Sequence, residues 1–197
     1  MKSLGIDIGS SHIKVVEIQA TSKGFVVSQY FMHALSQNPA HDRDIEIIEF
    51  LRSLAGRYDQ TQTKICVALR QDQVAIRHKT FPFSDRLKIA KTLPNELEED
   101  IPFSSDNSIF DAKIICTRGN SADVLACAAP KNHVQKLTQI LHESGLEPDL
   151  VSTEGTAFAN LFERWNSPPP NLPSTSGFEE AGRPETPVHI VLNIGHT

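Results

Sequence analysis

The sequence has few of the features that mark secreted, membrane-spanning or disulfide-bonded proteins. It contains three cysteines in 197 residues, and this odd number of widely spaced thiols argues against a disulfide framework. No apolar run approaches the roughly 18 residues of a membrane-spanning helix, and no secretory signal peptide precedes the first apolar segment. We therefore expect a cytoplasmic protein with reduced, buried thiols at Cys66, Cys116 and Cys127, which contacts a membrane only through its partners.

The chain also lacks a strong excess of charge of either sign and any metal-binding pattern. Its formal net charge is −5, so no basic surface for nucleic acid is indicated. The eight histidines are scattered, and none is paired with a cysteine at the spacing of metal ligands. With 39% hydrophobic and 22% charged residues, the composition is that of a folded protein with one large domain or two small ones.

The N-terminal segment predicts two strands joined by a tight turn. Leu4, Ile6 and Ile8 alternate with other residues, which is the period of a β-strand. A glycine and two serines follow, and residues 13–18 then form a run that is apolar on both faces. We therefore expect the second strand to be buried on both sides.

The chemistry of this turn indicates a site for an anion or a metal ion. Asp7 lies on the strand face opposite the apolar residues, and its carboxylate can hold Mg²⁺ through water. Gly9 allows backbone N–H groups to approach an anion closely. Ser10 and Ser11 add hydroxyl donors, and Lys14 adds a positive charge. An ordinary glycine–serine hairpin with a capping aspartate is the alternative interpretation of these residues alone.

The chain up to residue 165 alternates strand and helix patterns. Short apolar runs predict strands over residues 25–32, 64–69, 73–81, 108–117, 122–129 and 146–151. Apolar stripes at helical spacing predict helices over residues 42–58, 84–101, 130–145 and 153–165. Asp42 fits an N-cap of the first helix. Pro94 lies inside the second helical segment, where we expect a kink or a fresh helix start.

The end of the chain differs in composition from the rest. Six of the 22 residues of 166–187 are proline, and most of the others are small or polar. Such a segment cannot bury a core, so we expect a mobile linker there. Residues 188–197 predict a further strand that runs into a turn containing Asn193 and Gly195.

Three separated stretches resemble one protein family. The pattern apolar-Asp-x-Gly-x-Ser between two strands resembles the first phosphate loop of the actin/Hsp70/sugar-kinase superfamily. The longer run over residues 5–18 is similar to the PilM family of type IV pilus assembly proteins, whose relatives are the GspL proteins of type II secretion and FtsA of cell division. Residues 96–103 resemble the same family with Glu-Leu-Glu-Glu-Asp-Ile-Pro-Phe. Residues 129–154 do so with Ala-Pro-Lys-x-x-Val, Gly-Leu-Glu-Pro and Val-x-x-Glu.

The resemblance implies an α/β fold and a division of the chain. The fold would be an actin-like, ribonuclease-H-like first lobe with an inserted α/β subdomain called 1C, and the second lobe would be missing. The implied parts are subdomain 1A over residues 1–72 and 152–165, the 1C-like subdomain over 73–151, the proline-rich linker over 166–187 and the start of the second lobe over 188–197.

The resemblance also implies a nucleotide site between the two lobes. Its phosphate-binding residues would be Asp7, Gly9, Ser10, Ser11, Lys14, Asn193 and Gly195, with Asp7 holding Mg²⁺ through water. ATP and Mg²⁺ are therefore implied for a full-length protein, and no cofactor for these 197 residues alone. Asn193 stands where the superfamily has an aspartate. A neutral amide cannot act as a general base, which argues against ATP hydrolysis.

The function implied by the resemblance is that of a non-enzymatic scaffold, peripheral at the cytoplasmic face of the inner membrane. Such a protein binds the N-terminal tail of a PilN-like membrane protein in a groove between the first subdomain and 1C, lined here by residues 73–81 and 84–101. One alternative is the cytoplasmic domain of a GspL-like protein that docks the assembly or secretion ATPase. A second is a sugar or acetate kinase of the same superfamily, although no aspartate besides Asp7 lies where such an enzyme needs its base.

Overall fold

The computed structural model describes residues 2–22 and 24–166, and the side chains of this range up to Phe162. Eight strands and four helices are found in this part of the chain. In order they are β1 (Lys2–Ile8), β2 (His12–Thr21), β3 (Gly24–Ala34), α1 (Arg43–Ala55), β4 (Thr63–Leu69), β5 (Ala75–Phe81), α2 (Arg86–Leu97), β6 (Ser108–Arg118), β7 (Ser121–Pro130), α3 (Lys131–Glu143), β8 (Leu150–Thr153) and α4 (Glu154–Asn166). The segments 167–187 and 188–197, for which a linker and a further strand are predicted, lie outside the described residues.

The strands form two separate sheets. The larger sheet has the order β3-β2-β1-β4-β8, in which β1, β2 and β3 form an antiparallel meander and β4 and β8 add in parallel. The smaller sheet has the order β5-β7-β6 and is antiparallel throughout. The carboxyl ends of the parallel strands β1, β4 and β8 therefore lie at the same end of the larger sheet, and the turn after β1 lies there too.

Each sheet has its own hydrophobic core. One face of the larger sheet packs against α1 and α3, because both helices carry an apolar stripe at helical spacing. The main residues of this core are Leu4, Ile6, Ile13, Val15, Ile65, Val67, Ile47, Leu51, Leu54, Leu137, Ile140 and Leu141. The smaller sheet packs against α2, and the alanines of β7 let the helix approach closely. The main residues there are Ile89, Leu93, Leu97, Ala122, Val124, Ala126 and Ala128.

Helix α1 begins where the sequence predicts. The start of α2 agrees with the prediction only approximately. The Asp42 carboxylate accepts bonds from the N–H groups of the first turn of α1, at 2.9 and 3.3 Å. Asp85 caps α2 in the same way, through the N–H of Lys88 at 2.8 Å. The fresh start expected at Pro94 is not seen, because α2 runs unbroken to Leu97. Buried residues both precede and follow the proline in α2, and their packing against the sheet stabilises the helix at this point.

β2 differs from the prediction that both of its faces are buried. Ile13 and Val15 are buried, whereas Val16 is 37% exposed on the other face and Lys14 is exposed. The reason is that α1 and α3 cover only one face of the larger sheet at this strand. A run of apolar residues does not show how many layers cover a strand. Glu17 lies on the same buried face of β2, although the sequence does not predict that a carboxylate is buried there.

The inserted unit predicted over residues 73–151 does not keep all its elements together. β8 pairs with β4 in the larger sheet, and α3 packs against α1. The predicted strand over residues 146–151 begins only at Leu150. Before it, the Asp149 carboxylate accepts from the N–H of Ile65 at 2.9 Å, and the Asp149 N–H donates to the Ile65 carbonyl at 2.8 Å. Periodicity predicts an apolar face but not the sheet against which it packs.

Glu17 is a buried carboxylate at the centre of a polar cluster. Its side chain is 3% exposed, and its Oε1 lies 2.9 Å from the Lys2 ammonium. The Ser28 hydroxyl donates to the same oxygen at 2.7 Å. The bond from Ser28, followed by the bond from Lys2, lowers the pKa of Glu17 below its usual value. The charged form is therefore more stable in the folded chain than in the unfolded chain.

This pKa predicts that part of the stability depends on pH. Glu17→Gln is expected to lower the free energy of unfolding by about 1–3 kcal/mol at pH 7, because two bonds lose their charged acceptor. A lowered folded-state pKa gives stability that is present above the unfolded value near 4.5 and is lost as the pH falls through the folded value. Urea denaturation at pH 7 and at about pH 3.5 should therefore show the difference between variant and wild type shrinking with acid. An equal difference at both pH values would contradict this.

Candidate functional site

The predicted phosphate turn is a tight connection between β1 and β2. The Gly9 N–H donates to the His12 carbonyl at 2.9 Å. A Cβ atom at Gly9 would lie 3.0 Å from that same oxygen, so the turn favours a residue without a side chain. Asp7 and Lys14 face each other across the hairpin, with 3.4 Å between carboxylate and ammonium. Both side chains are partly exposed, and the geometry leaves them accessible to a ligand.

The serines of the turn have neighbours within the protein. The Ser11 hydroxyl lies 2.9 Å from Nδ1 of His12, and the Ser11 carbonyl accepts from the N–H of Leu35 at 2.8 Å. Ser10 follows Gly9 at the tip. The structure therefore brings Asp7, Gly9, Ser10, Ser11 and Lys14 together at the carboxyl end of β1, whereas Asn193 and Gly195 lie outside the described residues. Among the described residues, no group of three or more His, Cys, Asp or Glu side chains is placed to hold a metal ion.

Arg43 is a residue of this turn that the sequence does not predict. It is the first residue of α1, and its guanidinium donates to the carbonyls of Gly9 at 2.5 Å and Ser10 at 2.6 Å. The arginine thus ties the tip of the turn to the start of the helix. The only available signal is its place directly after the N-cap Asp42, and nothing in the spacing relates it to residues more than 30 positions earlier.

Arg43→Ala is expected to loosen the turn without unfolding the protein. Two charge-assisted bonds to loop carbonyls would be lost, and amide exchange at residues 9–12 should become roughly tenfold faster. The matched control is Arg52→Ala, which removes an arginine of the same helix that donates at 2.9 Å to the Glu143 carbonyl, far from the turn. Hydrogen exchange followed by NMR measures both variants. Equal exchange at the turn in the two variants would show that Arg43 does not hold it.

A groove of about 620 Å³ lies between the two sheets. One side is the face of the smaller sheet that is turned away from α2, and the other side is β8 with the start of α4. Its apolar lining includes Ile76, Ile109, Leu125, Cys127, Val134 and Leu150. Ile109 is 45% exposed and Leu150 is 54% exposed, so the groove presents apolar surface to solvent.

Polar groups mark one end and the rim of this groove. Thr153, Thr156 and Asn160 form a polar end, where the two threonine hydroxyls lie 2.9 Å apart. Arg86, Asp111 and Lys113 stand at the rim with charges of both signs. Such an arrangement suits an extended, mostly apolar segment with a few polar side chains rather than a highly charged ligand.

The thiol of the cysteine that lines the groove is not activated as a nucleophile. Burial, and then the nearby Asp111 carboxylate, raises the pKa of the Cys127 thiol. A neutral thiol behaves as a small apolar side chain, so Cys127 contributes surface rather than a nucleophile. The three cysteines are free thiols. Each of them is only partly buried, so the prediction that all three thiols are buried is wrong.

The groove lining differs from the predicted one. Of residues 73–81 and 84–101, only Ile76 and Arg86 line the groove. The apolar stripe of α2 packs on the opposite face of the smaller sheet, where it buries the alanines of β7. Strands β6, β7 and β8 supply most of the lining instead. The sequence shows that α2 is amphipathic but does not show which face of the sheet it covers.

Comparisons with known proteins identify the fold and the family. A sequence profile described as "Type IV pilus assembly protein PilM" matches residues 5–181. The solved "PilM-PilN type IV pilus biogenesis complex" is similar with a TM-score of 0.69 and 18% identity, over 83% of this chain and 50% of that one. The cytoplasmic domain of EpsL, an inner-membrane component of the type II secretion system of Vibrio cholerae, is similar with a TM-score of 0.53 and 13% identity, over 77% of this chain and 57% of that one.

These matches confirm the predicted fold class, an actin-like α/β lobe. No curated protein matches the sequence. The chain spans about half the length of the PilM chain that it resembles. Within the described residues, no helix combines the length and apolar character needed to cross a membrane. Because the family profile matches most of the sequence, the chain belongs to the PilM family of type IV pilus assembly proteins.

Proposed function

We propose that this protein is a non-enzymatic scaffold of the inner-membrane assembly platform for type IV pili. Its groove would bind the cytoplasmic N-terminal tail of a PilN-like membrane protein. The observation that carries the proposal is the apolar groove of about 620 Å³ between the two sheets. The likeness to a solved PilM–PilN complex supports the identity of the partner. In this role the protein is cytoplasmic and reaches the membrane through the tail that it holds.

The chemistry of the groove supports a peptide more than a small metabolite. Its lining is mainly apolar, its polar groups lie at one end and at the rim, and it is open to solvent. A peptide tail supplies apolar side chains for such a surface and a backbone that can pair with strand edges. Among the described residues, the groove lining contains a single carboxylate, Asp111, which accepts a hydrogen bond from the N–H of Ala112, and so it offers no acid–base pair of the kind that a kinase needs.

A binding titration tests this proposal. A synthetic peptide of the N-terminal tail of the PilN-like protein from the same genome is titrated into the protein by calorimetry, with a scrambled peptide of equal composition as the control. Saturable binding of the native order alone is expected. Equal binding of both peptides, or of neither, would contradict the proposal.

The likeness to the EpsL cytoplasmic domain supports a second candidate function. In that case the protein would be the cytoplasmic part of a GspL-like secretion protein and would dock the secretion ATPase. The family profile favours the pilus, because it matches residues 5–181 as a pilus assembly protein. The same calorimetric titration with the purified secretion ATPase of the host tests this candidate.

We also propose that the turn after β1 takes the phosphates of ATP with Mg²⁺ in the full-length protein, without hydrolysis. Asp7→Ala should leave folding intact, because the side chain lies opposite the packed face of its strand, and should weaken Mg-ATP binding by about tenfold or more. Glu99→Ala, which removes an exposed carboxylate elsewhere, is the control. Fluorescent-nucleotide titration measures both. Unchanged affinity in the Asp7 variant would remove Asp7 from the site.

A further inference from the structure

Among the described residues, the smaller sheet has an unpaired edge that the groove reaches. β6 is the outermost strand in the order β5-β7-β6, and within the described residues it pairs only with β7. At Ser108–Arg118 it is 11 residues long. An edge strand of this length offers a row of N–H and C=O groups to a further strand.

One hydrogen bond shows which backbone groups of β6 point outward. The N–H of Ala112 donates at 2.8 Å to the carboxylate of the preceding Asp111, although Ala126 lies opposite it on β7. In an antiparallel pair, residues alternate between those that bond to the partner strand and those that point away from it. Ala112 therefore points away from β7, and so does Ile114, two residues along.

The outward groups open into the groove. Residues 111–114 all line it, although Ala112 and Ile114 turn their side chains to the core beneath α2. Since these two side chains point to the core, the residues contribute their backbone to the lining, and the groove therefore extends from the face of the smaller sheet to the edge of β6. Across the groove, the four residues of β8 (Leu150–Thr153) also line it, and β8 is the outermost strand of the larger sheet in the part of the chain that the structure describes.

We propose that the segment bound in the groove adds to β6 as a further β-strand, with its backbone paired to Ala112 and Ile114. This inference rests on the proposed function, in which the occupant is the tail of a PilN-like protein. The Asp111 carboxylate then gives up the Ala112 N–H, which passes to a carbonyl of the tail. The tail is extended, it has apolar residues at alternate positions beside Ile109 of β6, and it has a hydrogen-bond donor side chain near the released carboxylate.

Hydrogen exchange tests the strand addition site by site. The full chain is compared with and without the synthetic tail peptide at saturation, and amide exchange is followed by NMR. Exchange at Ala112 and Ile114 is expected to slow by about tenfold or more, since each amide gains a backbone acceptor. Asp111 and Lys113 are the internal controls, because their amides already face β7. Peptide binding with unchanged exchange at Ala112 and Ile114 would overturn the strand addition and leave the proposed function standing.

Backbone methylation of the peptide provides a second test. Peptides that are N-methylated at one position each are titrated in turn. Because the backbone groups of an added strand face its neighbour at every second residue, methylation should weaken binding by about tenfold or more at alternate positions and have little effect between them. Loss of binding without this alternation would overturn the proposal. Absence of binding by the unmethylated peptide would instead refute the proposed function itself.

Discussion

Ile109→Lys is expected to weaken binding of the PilN-like tail by about 30-fold or more. Ile109 lies at the rim of the groove on β6 and is 45% exposed, so the fold does not depend on its burial. A bound tail would cover this side chain. Replacement by lysine removes apolar contact and places a charge in the interface, and a loss of 2 kcal/mol at one well-packed residue corresponds to about 30-fold in affinity. Calorimetric titration measures the change.

Ile45→Lys is the matched control for this variant. Ile45 is also an isoleucine and is 53% exposed, but it lies on α1 and does not line the groove. Its affinity for the tail should equal that of the wild type. Thermal denaturation of both variants would show that neither is unfolded. Equal affinities of the two variants would contradict the placement of the binding site in the groove.

Leu141→Ala is expected to lower the free energy of unfolding by about 3 kcal/mol. Leu141 is fully buried on α3 in the core that α1 and the larger sheet share. Truncation to alanine removes apolar contact and leaves a cavity that these elements cannot close. Leu87→Ala is the control, because Leu87 is 75% exposed on α2, and its substitution should change the free energy by less than about 0.5 kcal/mol. Urea denaturation measures both variants.

A double-mutant cycle tests to which core α3 belongs. Leu51 lies in the same cluster as Leu141, whereas Leu93 lies in the cluster under α2. Effects of Leu141→Ala and Leu51→Ala should couple by about 0.5 kcal/mol or more, and those of Leu141→Ala and Leu93→Ala should add within about that amount. The reverse pattern would place α3 with the smaller sheet, as the sequence predicts for residues 73–151.

Locally encoded features of this fold can be predicted from the sequence. Asp42 caps α1 because its side chain reaches N–H groups only two and three residues ahead. The turn after β1 favours Gly9, because a Cβ atom there would lie close to a carbonyl oxygen of the same hairpin. These interactions involve neighbouring residues, so their residue types and spacing are sufficient to indicate them. The family motifs likewise indicate the fold class without any knowledge of how the elements pack.

Features that depend on tertiary packing cannot be predicted in this way. Arg43 reaches the turn only because α1 begins beside the end of β1. Glu17 is buried because Lys2 and Ser28 come from neighbouring strands to meet its charge. In the same way, the periodicity of α3 predicts an apolar face but not the element against which that face packs. Each of these contacts joins elements whose relative position is absent from the local pattern.

One property of the groove can be predicted from the sequence and another cannot. Its place between the two sheets follows from the family resemblance, but its lining does not follow from residues 73–81 and 84–101. The sequence of α2 would be amphipathic whichever face of the smaller sheet the helix covered. The alanines of β7 allow it close contact with one of these faces. The opposite face, with Leu125 and Cys127, is thereby left to the groove. Which face a helix covers is decided by the fit of both surfaces, which a sequence pattern does not contain.

The most direct test of the proposed function is affinity capture of the full-length protein from membranes of its own host, followed by mass spectrometry. A PilN-like protein should be recovered with the wild type, and its recovery should fall with Ile109→Lys. Recovery of a secretion ATPase would contradict the pilus role in favour of secretion. Recovery of no membrane protein would contradict the scaffold function altogether.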